Sequence, residues 1–168
     1  VPTDAAELQL RPATPEDLPA IADLYLRVRE SAVPAMPPQI HTPEEVRAYV
    51  GGWDLARRDV WIAELGGSPV AYMALEEEWL DSLYVLATAA GQGIGSALLD
   101  LAKSLRPGGF GLWVFESNTP ARAFYARHGL VEVERTDGSG NEERAPDIRM
   151  VWPGVDRASL AERVDAAT

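Results

Sequence analysis

Apolar residues along the chain change their spacing several times, and each change marks an element. The opening run "LQLRPA" predicts a short first strand. Thr14 then offers a helix cap, with Pro15 at the first helical position and Glu16 and Asp17 in the first turn. Leu18, Ile21, Tyr25 and Val28 recur at helical spacing and predict one buried stripe. "SAVPAMPPQI" is too rich in proline for a helix and predicts a loop. "HTPEEVRAYV" repeats the cap-plus-proline signal at Thr42 and Pro43 and starts a second helix.

From Asp59 the period shortens to two. "DVWIAEL" and "VAYMALEE" flank Gly66, Gly67, Ser68 and Pro69 and predict a hairpin, which "WLDSLYV" continues as a third strand. A glycine-rich stretch follows, and Ile94, Leu98, Leu101 and Leu105 mark one face of a helix that "RPGG" ends. "FGLWVFE" is apolar on both faces, as a central strand is. "SNTPARAFYARHG" predicts a helix capped by Ser117, Asn118 or Thr119, with Pro120 early and Gly129 at its end. "LVEVER" and "DIRMVW" predict two strands joined by "TDGSGNEERAP", and "VDRASLAERVDAAT" predicts a loose helix. The order βααβββαβαββ describes one α/β (α+β) domain over residues 8–152, with a mixed sheet of about seven strands flanked by about four helices. Residues 153–168 form a tail.

Charge and composition narrow the function. The formal net charge is −11 over 168 residues, which opposes generic nucleic-acid binding and suits a cationic small molecule or basic peptide. The chain has no cysteine, so disulfides, a thiol nucleophile and thiolate metal sites are excluded. His41 and His128 are the only imidazoles, and no metal is expected. "VPTDAAELQL" lacks a signal-peptide pattern and no apolar run suffices to span a bilayer, so a cytoplasmic protein without a membrane partner is expected.

Three glycines, Gly91, Gly93 and Gly95, crowd the start of the third helix in "YVLATAAGQGIGSALLDLA". Glycine is costly in regular structure, but a glycine-rich turn opening a helix leaves several N–H groups without helical partners, at the positive end of the dipole. Such a turn cradles phosphate. The nucleotide P-loop needs Gly-Lys-Ser/Thr, and this stretch has no lysine. A dinucleotide fingerprint needs glycine where Ser96 stands and should open the first βαβ unit. The elements before the turn argue against that reading, which stays as a nucleotide-binding oxidoreductase alternative.

"LYVLATAAGQGIGSALLDLA" resembles the acetyl-CoA-binding motif of the GNAT superfamily of N-acetyltransferases, Gln/Arg-x-x-Gly-x-Gly/Ala after a strand, with Gly93 and Gly95 as its two glycines. "LWVFESNTPARAFYARHGL" resembles the second signature of that family, an asparagine after the fifth strand followed by a helix carrying Phe-Tyr. The element order also matches. One departure falls on Ala90, where the motif has Gln or Arg. The N–H groups of Gly91, Gln92, Gly93, Ile94, Gly95 and Ser96, with the Ser96 hydroxyl, are then left to hold the diphosphate. The resemblance further implies that the fourth strand splays from the fifth, freeing backbone groups of Leu83, Tyr84 and Val85 for the pantetheine arm and for a developing oxyanion. It places Asn118 and Tyr125 near the sulfur and assigns Arg122 to the cofactor. Homodimers are frequent in the family.

Acetyl transfer to an amine needs a held thioester, a neutral amine, a stabilised oxyanion and a protonated leaving thiolate. Tyr125 fits the general acid, because a phenol with an ordinary pKa near 10 stays protonated at neutral pH. It follows Asn118 by about two helical turns, so both can face one cleft. For the amine's proton, Asp81 shares a strand face with Leu83 and Val85 by the period of two, and Glu116 ends the neighbouring strand. Glu77 and Glu78 read as a solvated hairpin, and His41 and His128 as surface residues. The acceptor pocket is expected between "SAVPAMPPQI", the helix after it and "DGSGNEER", with Met36, Trp53 and Trp79 lining it or joining the core. A non-catalytic acyl-CoA-binding sensor of the same fold is the other reading, and the amine itself is left open.

Overall fold

A computed structural model describes residues 6–155. Its elements run β1 (Leu8–Pro12), α1 (Leu18–Ser31), α2 (Pro43–Gly51), β2 (Arg58–Leu65), β3 (Ser68–Glu76), β4 (Trp79–Val85), α3 (Ile94–Leu105), β5 (Phe110–Phe115), α4 (Thr119–Arg127), β6 (Val131–Thr136) and β7 (Asp147–Trp152). This is the predicted βααβββαβαββ order. The loose helix expected at the C-terminus lies outside the described residues.

The strands form one seven-stranded sheet in the order β1-β2-β3-β4-β5-β7-β6. Every pairing is antiparallel except β4 with β5. Gly66 and Gly67 have φ of 59° and 82°, the left-handed conformation that a tight hairpin between right-twisted strands demands. Thr42 and Glu45 cap α2 reciprocally, Glu45 N–H donating to Thr42 Oγ1 at 3.2 Å and Thr42 N–H to Glu45 Oε2 at 2.8 Å.

Two layers of helix cover the sheet. Tyr84 meets Tyr25 of α1, ring centroids 5.5 Å apart. Its neighbour Val85 points the other way, towards the start of α3, as strand alternation requires. Helices α1 and α3 therefore lie on opposite faces, and α4 joins α3 through Phe124. Strand β3 is buried on both sides, with Ala71 to Leu75 inaccessible. The stripe of α3 is turned slightly from its expected position: Ile94, Leu98, Leu99 and Ala102 are buried, while Leu101 and Leu105 are only partly so. Strand β5 also departs from expectation, because Trp113 is 44% exposed. Helices α1 and α2 pack over the other half of the sheet, and the α1-side face of β5 stays open.

Candidate active site

Strands β4 and β5 pair through one residue pair, Trp79 with Gly111. Gly111 N–H donates to Glu78 O at 2.9 Å, and the strands diverge beyond this point. The Trp79 ring lies over Gly111 so closely that a Cβ there would sit 3.1 Å from it. A parallel pair stripped of its ladder leaves backbone N–H and C=O groups unpaired, a costly state in a closed interior. Here they border a cleft of about 750 Å³, lined by Leu83, Tyr84, Val85, the glycine turn, Asn118 and Tyr125.

The glycine turn forms the mouth of the cleft. Gly91 and Gly93 have φ of 76° and 78°, and Gly93 caps α3 in the left-handed conformation. A Cβ on either would meet nothing within 4 Å, so backbone conformation, not crowding, selects glycine there. Gly95 is different: a Cβ would stand 3.4 Å from Phe124 Cζ and 3.8 Å from Val85 Cγ2, so its smallness lets α3 close on α4 and β4. Among the described residues, the N–H groups of residues 91–96 donate to no protein acceptor. Together with the dipole of α3 they form a concave, positive surface fitted to an anion. Ala90 contributes no side-chain donor to it. The Ser96 hydroxyl instead meets His128 Nε2 at 3.1 Å, and His128, expected at the surface, is half-buried against Phe124.

Asn118 caps α4, its Oδ1 accepting from Ala121 N–H at 3.4 Å, and it lines the cleft. Tyr125 lies on the next turns of the same helix, also in the lining. Burial and then the neighbouring Tyr84 push the Tyr125 phenol above its ordinary value, with no hydrogen bond or cation opposing them. Burial and Tyr25 also push Tyr84 up, to about 12, although Arg29 pulls the other way. Both phenols are thus fully protonated at neutral pH.

The carboxylates fall less well. The expectation that Asp81 shares a face with Leu83 and Val85 fails, because Asp81 is the unmatched residue of a bulge between the pairs Ala74–Ser82 and Leu75–Leu80. A bulge interrupts alternation, and the Asp81 carboxylate meets Arg58 at 2.8 Å. It still borders the cleft, and burial raises its carboxyl despite Arg58. Glu116 does not border the cleft: its carboxylate turns to Arg135 at 3.0 Å. Arg122 is likewise drawn away, with Nη1 donating to Glu116 O at 3.0 Å and Nε to Glu132 at 2.9 Å. Of the apolar candidates, Met36 lines the cleft, whereas Trp53 packs beside Tyr72 under Arg58 and Trp79 covers Gly111.

Two cations in the lining, Arg29 and Arg127, were not among the candidates. Arg29 follows Ala22 and Tyr25 at buried-face spacing, and a charge at an apolar position is the signal that marks it. Arg127 recurs with Pro120 and Phe124 along α4. Arg29 is 3% exposed; its Nη2 donates to Pro37 O at 3.1 Å, and its Nε has no partner among the described residues.

A parallel strand pair opened at one end, with free amides at a helix start beside it, is the arrangement that the sequence resemblance implies for a coenzyme A thioester. The comparisons with known proteins agree. Residues 56–132 match the acetyltransferase (GNAT) domain family. The peptidyl-lysine N-acetyltransferase YjaB of Salmonella typhimurium is 31% identical over 100 residues, 59% of this chain and 68% of that protein. The peptidyl-lysine N-acetyltransferase YiaC of Escherichia coli is 28% identical over 149 residues, 87% of this chain and 97% of that one. Among solved structures, apo YjaB from Escherichia coli superposes with a TM-score of 0.70 at 21% identity, covering 89% of this chain and 99% of that one. An acetyltransferase from Thermoplasma acidophilum, solved in complex with coenzyme A, gives 0.64 at 18%, covering 88% and 99%. The chain belongs to the GNAT acetyltransferase family and is an acyltransferase.

Proposed function

We propose that the enzyme moves an acetyl group from acetyl-CoA directly to a primary amine. The observation that carries this reading is the single β4–β5 pair with unpartnered amides 91–96 at the mouth of the opening. The cleft offers an anion cradle at one end and free strand edges along its length, the complement of a diphosphate followed by an amide-bearing arm. Arg127, in the cleft lining, adds positive charge for the phosphates.

In this reading the glycine-turn amides hold the diphosphate, and the freed edge of Leu83, Tyr84 and Val85 takes the pantetheine amides. One N–H of that edge faces the thioester oxygen and stabilises the negative charge that develops there. The amine nitrogen forms a bond to the acetyl carbon, the carbon–sulfur bond breaks, and the sulfur takes a proton from the Tyr125 hydroxyl. Asp81, which burial makes more basic, receives the amine's proton. Two relatives named for peptidyl-lysine support an amine acceptor, and the absence of cysteine favours direct transfer over a thiol-bound intermediate.

The test is release of free thiol from acetyl-CoA with a panel of primary amines, alongside melting curves with CoA and with NAD(P). Amine-dependent thiol release and stabilisation by CoA alone are expected. Stabilisation by NAD(P) instead supports the nucleotide-binding alternative, and CoA binding without turnover supports a sensor.

A further inference from the structure

The glycine turn lacks a side-chain donor where the family motif has one. Ala90 is exposed in the cleft lining and offers none, but the C-terminal end of α4 stands against the same turn. Three contacts bring it there. The missing Cβ of Gly95 lets Phe124 Cζ come within 3.4 Å of where it would stand. Lys103, the chain's one lysine, donates from Nζ to His128 O at 2.6 Å. Ser96 Oγ meets His128 Nε2 at 3.1 Å.

The Ser96–His128 pair differs from comparable groups elsewhere in the fold. The other helical serines, Ser31 and Ser104, turn back to Val28 O and Asp100 O of their own helices, each at 3.1 Å, as helical serine commonly does. Ser96, in the first turn of α3, reaches to another helix instead and stays in the cleft lining. His41 is engaged by Glu142 and Glu45, whereas His128 forms no ion pair among the described residues. The His128 ring packs on Phe124, centroids 4.6 Å apart, and its N–H donates to Tyr125 O at 3.1 Å. The imidazole is fixed in place, with no carboxylate competing for Nε2.

A serine hydroxyl holds one proton and two acceptor lone pairs. A diphosphate oxygen only accepts, so Ser96 must donate to it, and Oγ then has only lone pairs left for His128. An imidazole with its proton on Nε2 is the partner that this demands. We propose that His128 is a positioning residue for the coenzyme A diphosphate: its Nε2–H donates to Ser96 Oγ and turns the Ser96 proton to the diphosphate, supplying the side-chain hydrogen bond that Ala90 cannot. Ser96 already stands at the end of the amide run 91–96, so one aligned O–H extends a cradle of N–H groups. This inference rests on the first cleft being the donor site.

The experiment uses the full chain and measures affinity for CoA and for 3′-dephospho-CoA by calorimetry, with phosphorus NMR spectra of bound CoA. His128→Ala and Ser96→Ala should each weaken both ligands about tenfold, the worth of a hydrogen bond to a charged group. The double variant should fall no further than the weaker single one, because the two residues act as a unit. The diphosphate resonances of bound CoA should move in both variants while the 3′-phosphate resonance stays. His128→Gln keeps an N–H for Ser96 and should bind as the wild type does. Ala90→Gln should restore most of the affinity lost in His128→Ala, a rescue that a simple tie between α3 and α4 does not predict. Undiminished affinity in either single variant, additive losses in the double, unmoved diphosphate resonances or no rescue by Ala90→Gln each overturn the proposal. Should His128→Ala fail to fold, Ser96→Ala and its rescue by Ala90→Gln decide in the same way. A wild-type chain that binds no CoA overturns the donor-site reading itself.

Discussion

Replacing Tyr125 with Phe separates chemistry from binding. The Tyr125 ring packs against Phe124, centroids 5.3 Å apart, and Phe keeps that contact. The hydroxyl it removes has nothing offsetting its desolvation, so folding stability should change by less than about 0.5 kcal/mol. The rate should change far more. Loss of a positioned general acid costs roughly 10²- to 10⁴-fold, or about 3 to 5.5 kcal/mol of transition-state stabilisation. Because the phenol is raised above its ordinary value, the wild-type acid form persists through neutral and mildly alkaline pH. The ratio of wild-type to variant kcat should therefore be flat from about pH 7 to about pH 9. The assay is thiol release at saturating amine across that range, with acetyl-CoA affinity measured separately. A kcat loss below about threefold refutes the acid role, as does a parallel loss of acetyl-CoA affinity.

Three further outcomes follow from particular positions. Gly93→Ala places a Cβ in open space but at φ of 78°; the strain of about 1–2 kcal/mol should lower the melting temperature by several degrees, and an unchanged melting curve would show that the turn relaxes freely. Gly138→Ala drives a Cβ into the Ala145 backbone, which deforms the β6–β7 loop; the amine KM should rise while acetyl-CoA affinity holds, and loss of both together would contradict that loop's separate role. Glu142, bonded to His41 at 2.8 Å, chiefly raises the imidazole above its ordinary value, with Glu45 adding to it. That raised value contributes stability fully present below the unfolded histidine pKa and lost as pH rises through the folded one. Melting curves of wild type and Glu142→Gln should thus differ most between about pH 5 and pH 6, above the ordinary carboxylate range and below the ordinary histidine value, and converge as pH rises further; a pH-independent gap would refute the pairing.

Much of the fold was legible because local signals and tertiary packing agree. The Thr42–Glu45 cap, the Gly66–Gly67 turn and the apolar spacing of α1 each specify an element on their own. The glycine turn was legible for the same reason: the left-handed backbone at Gly91 and Gly93 favours glycine. The misses share a physical cause, which is that side-chain direction at an irregular position depends on distant partners. Asp81 was placed by period two, and a bulge broke the period. Glu116 and Arg122 were placed by their position after β5, but Arg135 and Glu132 of β6 draw them off the cleft. His128 was placed at the surface by its position near a helix end, and only the folded chain brings it to Ser96. Trp113 looked like core because its strand is apolar throughout, and nothing local reveals where the helices stop covering the sheet.

The main claim is that the amides of residues 91–96 hold the diphosphate of a coenzyme A thioester. Amide-resolved NMR titration of the labelled chain with CoA addresses it directly. The cross-peaks of Gly91 to Ser96 should show the largest downfield shifts and saturate together with those of Leu83, Tyr84 and Val85. Saturable binding that leaves the glycine-turn amides unmoved, or no binding at all, would contradict the account.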